Sequence, residues 1–229
     1  MIPIDPEKTT LADLAVTFAG ASRVFHRHGL DFCCHGNVSL NQACEKRALD
    51  SRAIVAEIEK EEHNKDSSFQ RWDEQPMDTL IDHILARFHE SHRKEIPRLA
   101  EMANRVEKVH AEKPSCPKGV GRVLEEMQAE LESHMQKEEQ ILFPMIRGGR
   151  GFMAEGPIQM MEHEHDGAGE QLAKLRGLAH DFTPPEEACK TWRALYLGLS
   201  EFEQELKQHI HLENNVLFPR ALATTGGTD

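Results

Sequence analysis

Glu130-Leu131-Glu132-Ser133-His134-Met135-Gln136-Lys137-Glu138-Glu139-Gln140-Ile141-Leu142-Phe143-Pro144 and Glu205-Leu206-Lys207-Gln208-His209-Ile210-His211-Leu212-Glu213-Asn214-Asn215-Val216-Leu217-Phe218-Pro219 are two versions of one stretch, 75 residues apart. Both read Glu-x3-His-x3-Glu, and both end in Leu-Phe-Pro. A step of four residues advances an α-helix by one turn plus about 40°, so the three polar groups of each copy share a face. Glu-rich helix faces are usually solvated, but a repeat of this spacing with matching apolar flanks sets this face apart. A histidine and a carboxylate one turn apart can both reach one metal, or one can ligate while the other bridges to a second.

The 229 residues carry a net charge of -12, which leaves no basic footprint for nucleic acid or an anionic membrane surface. No apolar run approaches the ~20 residues of a membrane span, and the N-terminus lacks the pattern of a signal peptide, so a cytoplasmic chain is expected. The five cysteines are scattered apart from the pair Cys33-Cys34, which is no disulfide framework.

An all-α fold follows, with a small N-terminal helical domain over residues 1–63, a linker over 64–75 and an antiparallel four-helix bundle over 76–229. In the first domain, Thr10-x2-Asp13 and Ser39-x2-Gln42 read as helix starts, and the apolar Leu11, Leu14, Ala15 and Phe18 are helix-spaced. A further helix spans 51–63. The first bundle helix runs from Pro76 to about His110 with an expected kink at Pro97, and the second begins after Pro117. Thr183-Pro184-Pro185-Glu186 reads as the start of the fourth. Short connections make neighbours antiparallel.

The repeat extends to the intervening helices. His89 precedes His134 by 45 residues, and His165 precedes His209 by 44. At 1.5 Å per residue each pair returns to similar depth, which brings His89, His134, Glu138, His165, His209 and Glu213 into one core. Burying two carboxylates costs several kcal/mol each, a cost that metal ligation offsets. Two metals, each held by two histidines with both glutamates bridging, use every donor, and imidazole plus carboxylate suits iron or manganese, with zinc as a further candidate. Glu130 and Glu205, one turn before the ligand histidines, are candidates for an outer charge-balancing layer. His92 lies only about 60° from His89 on the helix and competes with it as ligand. The other eight histidines (26, 28, 63, 83, 110, 163, 180 and 211) are expected at the surface.

The His-x3-Glu and Leu-Phe-Pro pattern, with one isolated histidine on each alternate helix, resembles the hemerythrin-like four-helix bundle. Leu30-Asp31-Phe32-Cys33-Cys34-His35-Gly36 ahead of such a bundle is similar to the bacterial RIC family, the repair-of-iron-centres di-iron proteins, and the likeness spans nearly the whole chain. The resemblance implies two iron ions, oxo- or hydroxo-bridged, with His89, His134, His165 and His209 as terminal ligands and Glu138 and Glu213 as bridges. It implies protection from nitric oxide and oxidants by restoring damaged iron-sulfur proteins, through donated iron or reaction with nitric oxide or oxygen, in a cytoplasmic homodimer. Cys33 and Cys34 are the other functional candidates. Thiolates at a turn before a helix N-terminus have depressed pKa values and bind soft iron or iron-nitrosyl species, so the pair is expected to act as a relay. His35 stands where the family pattern commonly has a small residue. Cys44, Cys116 and Cys189 read as structural.

A hemerythrin-type oxygen carrier or sensor is the alternative. Four rather than five histidines leave both irons more open, which favours reaction or iron release over storage, and a carrier has no evident need for the cysteine domain. A ferritin-like oxidase wants Glu-x2-His on two helices. Glu107-x2-His110 and Glu162-x2-His165 fit that spacing, but the first lies at a helix end.

Overall fold

In the computed structural model, which describes residues 4–63 and 69–224, every regular element is helical, apart from an isolated bridge between Thr10 and Ser39. The N-terminal helices are α1 (Leu11–Thr17), α2 (Ala21–His28), α3 (Leu40–Glu45) and α4 (Ser51–His63). Thr10 Oγ1 accepts from the N–H of Asp13 and Ser39 Oγ from that of Gln42, so both expected caps form, each worth about 1 kcal/mol. Their apolar faces meet in a core of Leu11, Leu14, Phe25, Phe32, Leu40, Ile54 and Ile58. Of the expected linker, residues 64–68 lie outside the described residues. Trp72–Glu74 forms a 3-10 turn held to the bundle by Arg220, which donates to the carbonyls of Trp72 (3.0 Å) and Gln75 (2.7 Å).

Four long helices follow. α5 joins Met77–His83, a π segment Ile84–His89, and Glu90–Val109. α6 joins Val120–Lys137, a π segment Glu138–Leu142, and Phe143–Arg147. α7 is Glu155–Leu178, and α8 joins Lys190–Leu212, a π segment Glu213–Leu217, and Phe218–Ala223. The irregularity of α5 is thus at Ile84–His89, and Pro97 lies inside an α-helical run. In α6 and α8 the cause is local. Pro144 and Pro219 carry no N–H to close an α turn, and the preceding phenylalanines donate five residues back, Phe143 to Glu138 O and Phe218 to Glu213 O.

The fourth bundle helix starts later than expected, at Lys190 rather than in Thr183-Pro184-Pro185-Glu186. Thr183 is extended, as a residue before proline prefers, and the carbonyls of Pro185 and Glu186 accept from Arg193 instead of opening a helix. Glu107, of the ferritin-like spacing, serves elsewhere: it accepts from the N–H groups of Gly119 and Gly121 and satisfies the start of α6.

Two apolar clusters fill the bundle. One contains Leu80, Ile84, Phe88, Leu142, Phe143, Ile158, Leu217 and Phe218; the other contains Ile96, Leu99, Val123, Leu124, Leu172, Trp192, Tyr196 and Phe202. Along each helix the chain passes from one cluster to the other, alternating in direction, so neighbours run antiparallel. The crossing point in every helix is a histidine or glutamate of the predicted site.

Candidate metal centre

At that level the bundle exchanges an apolar core for a polar one. His89, His134, Glu138, His165, His209 and Glu213 are all buried, with both glutamates fully inaccessible. Their donor atoms form two sets, each within 4.8 Å: His89, Glu138, His209 and Glu213, and His134, Glu138, His165 and Glu213. The glutamates belong to both. All four imidazoles present Nε2 inward: His89 and His134 lie 3.3 and 3.4 Å from Glu138 Oε2, and His165 and His209 lie 3.2 and 3.0 Å from Glu213. The Nε2 atoms of His134 and His165 face each other at 3.2 Å.

Outer partners set the tautomers. Nδ1 of His89 donates to Glu139 Oε1 (2.8 Å), Nδ1 of His134 to Glu164 Oε2 (3.0 Å), and Nδ1 of His165 to Asn214 Oδ1 (2.8 Å), which leaves each Nε2 lone pair pointing at the centre. Glu139 is held by Arg93 and Glu164 by Lys137. Burial would raise both carboxyls, but these cations and the histidines outweigh it and keep them below the usual range. The ring of His209 instead stacks on Phe88, centroids 5.3 Å apart, and its Nδ1 has no partner.

Without a cation the arrangement is costly. Glu138 Oε1 and Oε2, Glu213 Oε2 and His89 Nε2 are buried and lack hydrogen bonds. Burial and the charge of Glu213 push the carboxyl of Glu138 well up, while Glu213, which burial alone would also raise, is held well down by His209 and His165. Burial pushes His89 and His134 down to about 4, so both are neutral donors at neutral pH. Two abutting buried carboxylates beside the neutral His89 and His134 lack compensating positive charge, which a hard-to-borderline cation in each donor set would supply. The residues present fit iron.

Sequence reasoning missed the outer layer. Glu130 is exposed and accepts from Gln171, and Glu205 is held by Arg87 and Ser91; neither touches a ligand histidine. The carboxylates that do, Glu139 and Glu164, come from neighbouring helices. Their signal was adjacency: Glu139 follows Glu138, and Glu164 precedes His165. His92 belongs to neither donor set; it is buried with both ring nitrogens unpartnered, 5.3 Å from the ring of His209. Of the eight histidines expected at the surface, His163 and His180 are exposed, His26, His28, His83 and His110 are half-buried, and His63 has no described side chain. His211 is a correction: it is buried, accepts from Asn215 Nδ2 (2.9 Å) and meets the ring of Phe32 at 5.4 Å.

That contact belongs to a seam joining the two domains. Asn214 Nδ2 donates to Cys33 O (3.1 Å), and Asn215 Nδ2 donates to Phe32 O (3.1 Å) and Cys33 O (3.3 Å). Asn214 therefore connects the cysteine loop to His165 with one side chain. The two thiols are free, 3.8 Å apart, and Cys34 Sγ lies 3.7 Å from His165 O. The expected depressed pKa is not found at Cys33. Its thiol is pushed well up by the Cys34 sulfur, by burial and by Asp31, and the next helix, α3, begins too far along the chain to help. His35 is mostly exposed and pairs with Asp31 Oδ2 at 2.7 Å. Cys44 and Cys116 are buried, but Cys189 is exposed at the start of α8, 3.3 Å from His110.

Two cavities flank the centre. One of about 410 Å³ runs between α6 and α7 from exposed Glu130 and His163 to His134, His165 and His209, with Met127, Leu131, Ala168 and Ile210 on its wall. The other, about 680 Å³ at the domain seam, is lined by the cysteine pair and by charged side chains including Arg47, Asp166, Glu170 and Lys207.

Comparison with known proteins agrees in both domains. A hemerythrin HHE cation binding domain matches residues 80–221, and a domain of unknown function, DUF542, matches residues 7–62. The iron-sulfur cluster repair protein YtfE of Yersinia pseudotuberculosis is 48% identical over 219 residues, covering 96% of this chain and 99% of that protein. The protein of the same name from Yersinia pestis matches to the same extent.

Proposed function

The chain belongs to the RIC family of hemerythrin-like iron-sulfur cluster repair proteins, and on that premise we propose that it restores iron-sulfur clusters damaged by nitric oxide or oxidants, using two iron ions held in the bundle. One observation carries this reading: two buried donor sets share Glu138 and Glu213, and Glu138 Oε1 and Oε2, Glu213 Oε2 and His89 Nε2 among them lack hydrogen-bond partners. Each iron would take two histidines, His89 with His209 and His134 with His165, and both glutamates, with oxide or hydroxide as a further bridge. Bound there, iron supplies redox chemistry toward nitric oxide or oxygen and is also the material that a damaged cluster lacks.

The chain's own groups divide the work. Glu139, Glu164 and Asn214 hold the tautomers that present Nε2 to the metals. The apolar wall between α6 and α7 suits an uncharged diatomic such as nitric oxide, whereas the charged cavity on the cysteine side suits an ion. Cys33 and Cys34 stand between the centre and that cavity and are the proposed relay. The oxygen-carrier reading gives way, because the relatives are named repair proteins and a cysteine loop is built against a ligand histidine. The partners proposed are damaged iron-sulfur proteins and a second copy of the chain, in the cytoplasm. Among the described residues no helix is long and apolar enough to cross a membrane.

The test is repair itself. Iron-loaded protein, mixed anaerobically with an iron-sulfur enzyme inactivated by nitric oxide, should restore its activity, and a Glu138→Ala variant should not. Equal repair by the parent and by that variant would sink the reading.

A further inference from the structure

Asp31, Cys33 and Cys34 place three donor atoms within 4.8 Å of one another, outside the bundle centre. The two sulfurs are 3.8 Å apart, and Cys33 Sγ is 3.4 Å from Asp31 Oδ1. A tetrahedral ion, about 2.3 Å from sulfur and about 2.1 Å from oxygen, sets a sulfur–sulfur edge of about 3.8 Å and a sulfur–oxygen edge of about 3.6 Å. The edges from Cys33 to Cys34 and from Cys33 to Asp31 therefore already match such a site.

The surroundings fix these donors. His35 Nδ1 and the N–H of Cys34 hold the Asp31 carboxylate, the first on Oδ2 at 2.7 Å and the second on Oδ1 at 3.1 Å. A carboxylate gripped on its far oxygen is oriented as metal-ligand carboxylates commonly are. The carbonyls of Phe32 and Cys33 are pinned to α8 by Asn214 and Asn215, so the loop cannot readily turn its thiols away. A fourth position is left to the charged seam cavity, and three protein ligands with one open position is the pattern of a site that admits an outside ligand, not of a closed structural one.

We propose that Asp31, Cys33 and Cys34 form a third metal site, mononuclear and thiolate-rich, which takes ferrous iron or another thiophilic divalent cation. The inference deepens the relay role given above to the cysteine pair. Binding exchanges the two S–H protons, released to solvent, for two metal–sulfur bonds, with no change of oxidation state. The position beside His165 makes this site a staging post between the bundle and the cavity.

Cobalt(II) added anaerobically to full-length protein that already holds its two irons tests this. The expected result is one further cobalt per chain, with thiolate-to-cobalt charge-transfer absorption, and retention of both irons. Cys33→Ser with Cys34→Ser should abolish the band. Asp31→Asn, which keeps the size and shape of the side chain, should weaken cobalt binding at least about tenfold. No thiolate band in the parent, or unchanged affinity in Asp31→Asn, overturns the three-ligand site, while iron content separately reports the bundle centre. A normal titration in the parent, with full cluster repair by the double serine variant, supports the site and removes its relay role.

Discussion

The two halves of the bundle use one plan and finish it differently. In the first, the residue after the shared glutamate is Glu139, which accepts from His89 on a neighbouring helix; in the second it is Asn214, which accepts from His165. The residue before the isolated histidine is Phe88 in the first half and Glu164 in the second, so His209 has an aromatic stacked on it where His134 has a carboxylate. Phe143 and Phe218, from the two Leu-Phe-Pro copies, still stack alike on His89 and His165. The inner ligands follow the repeat, and the outer layer departs from it where the second half meets the N-terminal domain. Asn214 and Asn215 hold the cysteine loop, where the first half has Glu139 and Gln140. Glu203 is a buried carboxylate held by Arg176 and Lys207, where the first half has exposed Gln128. The symmetry of the donor sets and the asymmetry of the domain seam are thus carried by different positions of one repeat.

The most severe way to break the comparison is through a shared ligand. Glu213→Ala removes a donor from both sets at once and should reduce bound iron from two per chain to nearly none by elemental analysis. His89→Ala, which touches one set, should leave part of it. Next come the outer partners. Glu139→Gln should weaken iron binding by about 10–100-fold in chelator competition, because a carboxylate strengthens its histidine as a donor. Asn214→Leu should cost less in affinity, since a neutral amide polarises His165 less, but it should also loosen the cysteine loop, read as faster alkylation of Cys33 and Cys34.

Smaller effects sharpen the same contrast. Glu203→Gln leaves Lys207 without its charge partner and Arg176 with only Asp181, 3.7 Å away, and should cost about 3 kcal/mol in urea unfolding at neutral pH. Gln128→Ala, at the matching position of the first half, should stay within about 0.5 kcal/mol. Burial would raise the carboxyl of Glu203, but Arg176 and Lys207 hold it below 4.5. Its contribution is therefore complete above the unfolded value and is lost as pH falls through the folded one, so the gap between the parent and Glu203→Gln should close in acid.

What the sequence made legible follows from the range of the interactions. Spacing within one helix groups side chains by face, and the six residues singled out by the repeat are the six whose donor atoms the bundle gathers. Spacing within one helix says nothing about a partner on the next, which is why Glu130 and Glu205 drew attention and Glu139 and Glu164 did not. A uniform helical wheel also hides the π segments, although Pro144 and Pro219 marked two of the three in plain view. Helix spacing turns His211 away from the donor sets, and that direction is where the N-terminal domain, not solvent, sits. The thiol of Cys33 was expected to be acidic from chain position alone, and the neighbouring sulfur, burial and the Asp31 carboxylate reverse the sign.

The most direct test of the central claim is Mössbauer spectroscopy of the oxidised protein loaded with iron-57, with iron counted on the same sample. Two ferric ions per chain, bridged so that their spins cancel in a diamagnetic ground state, is the predicted result. One iron per chain, or two magnetically independent ferric ions, would contradict a centre in which Glu138 and Glu213 are shared.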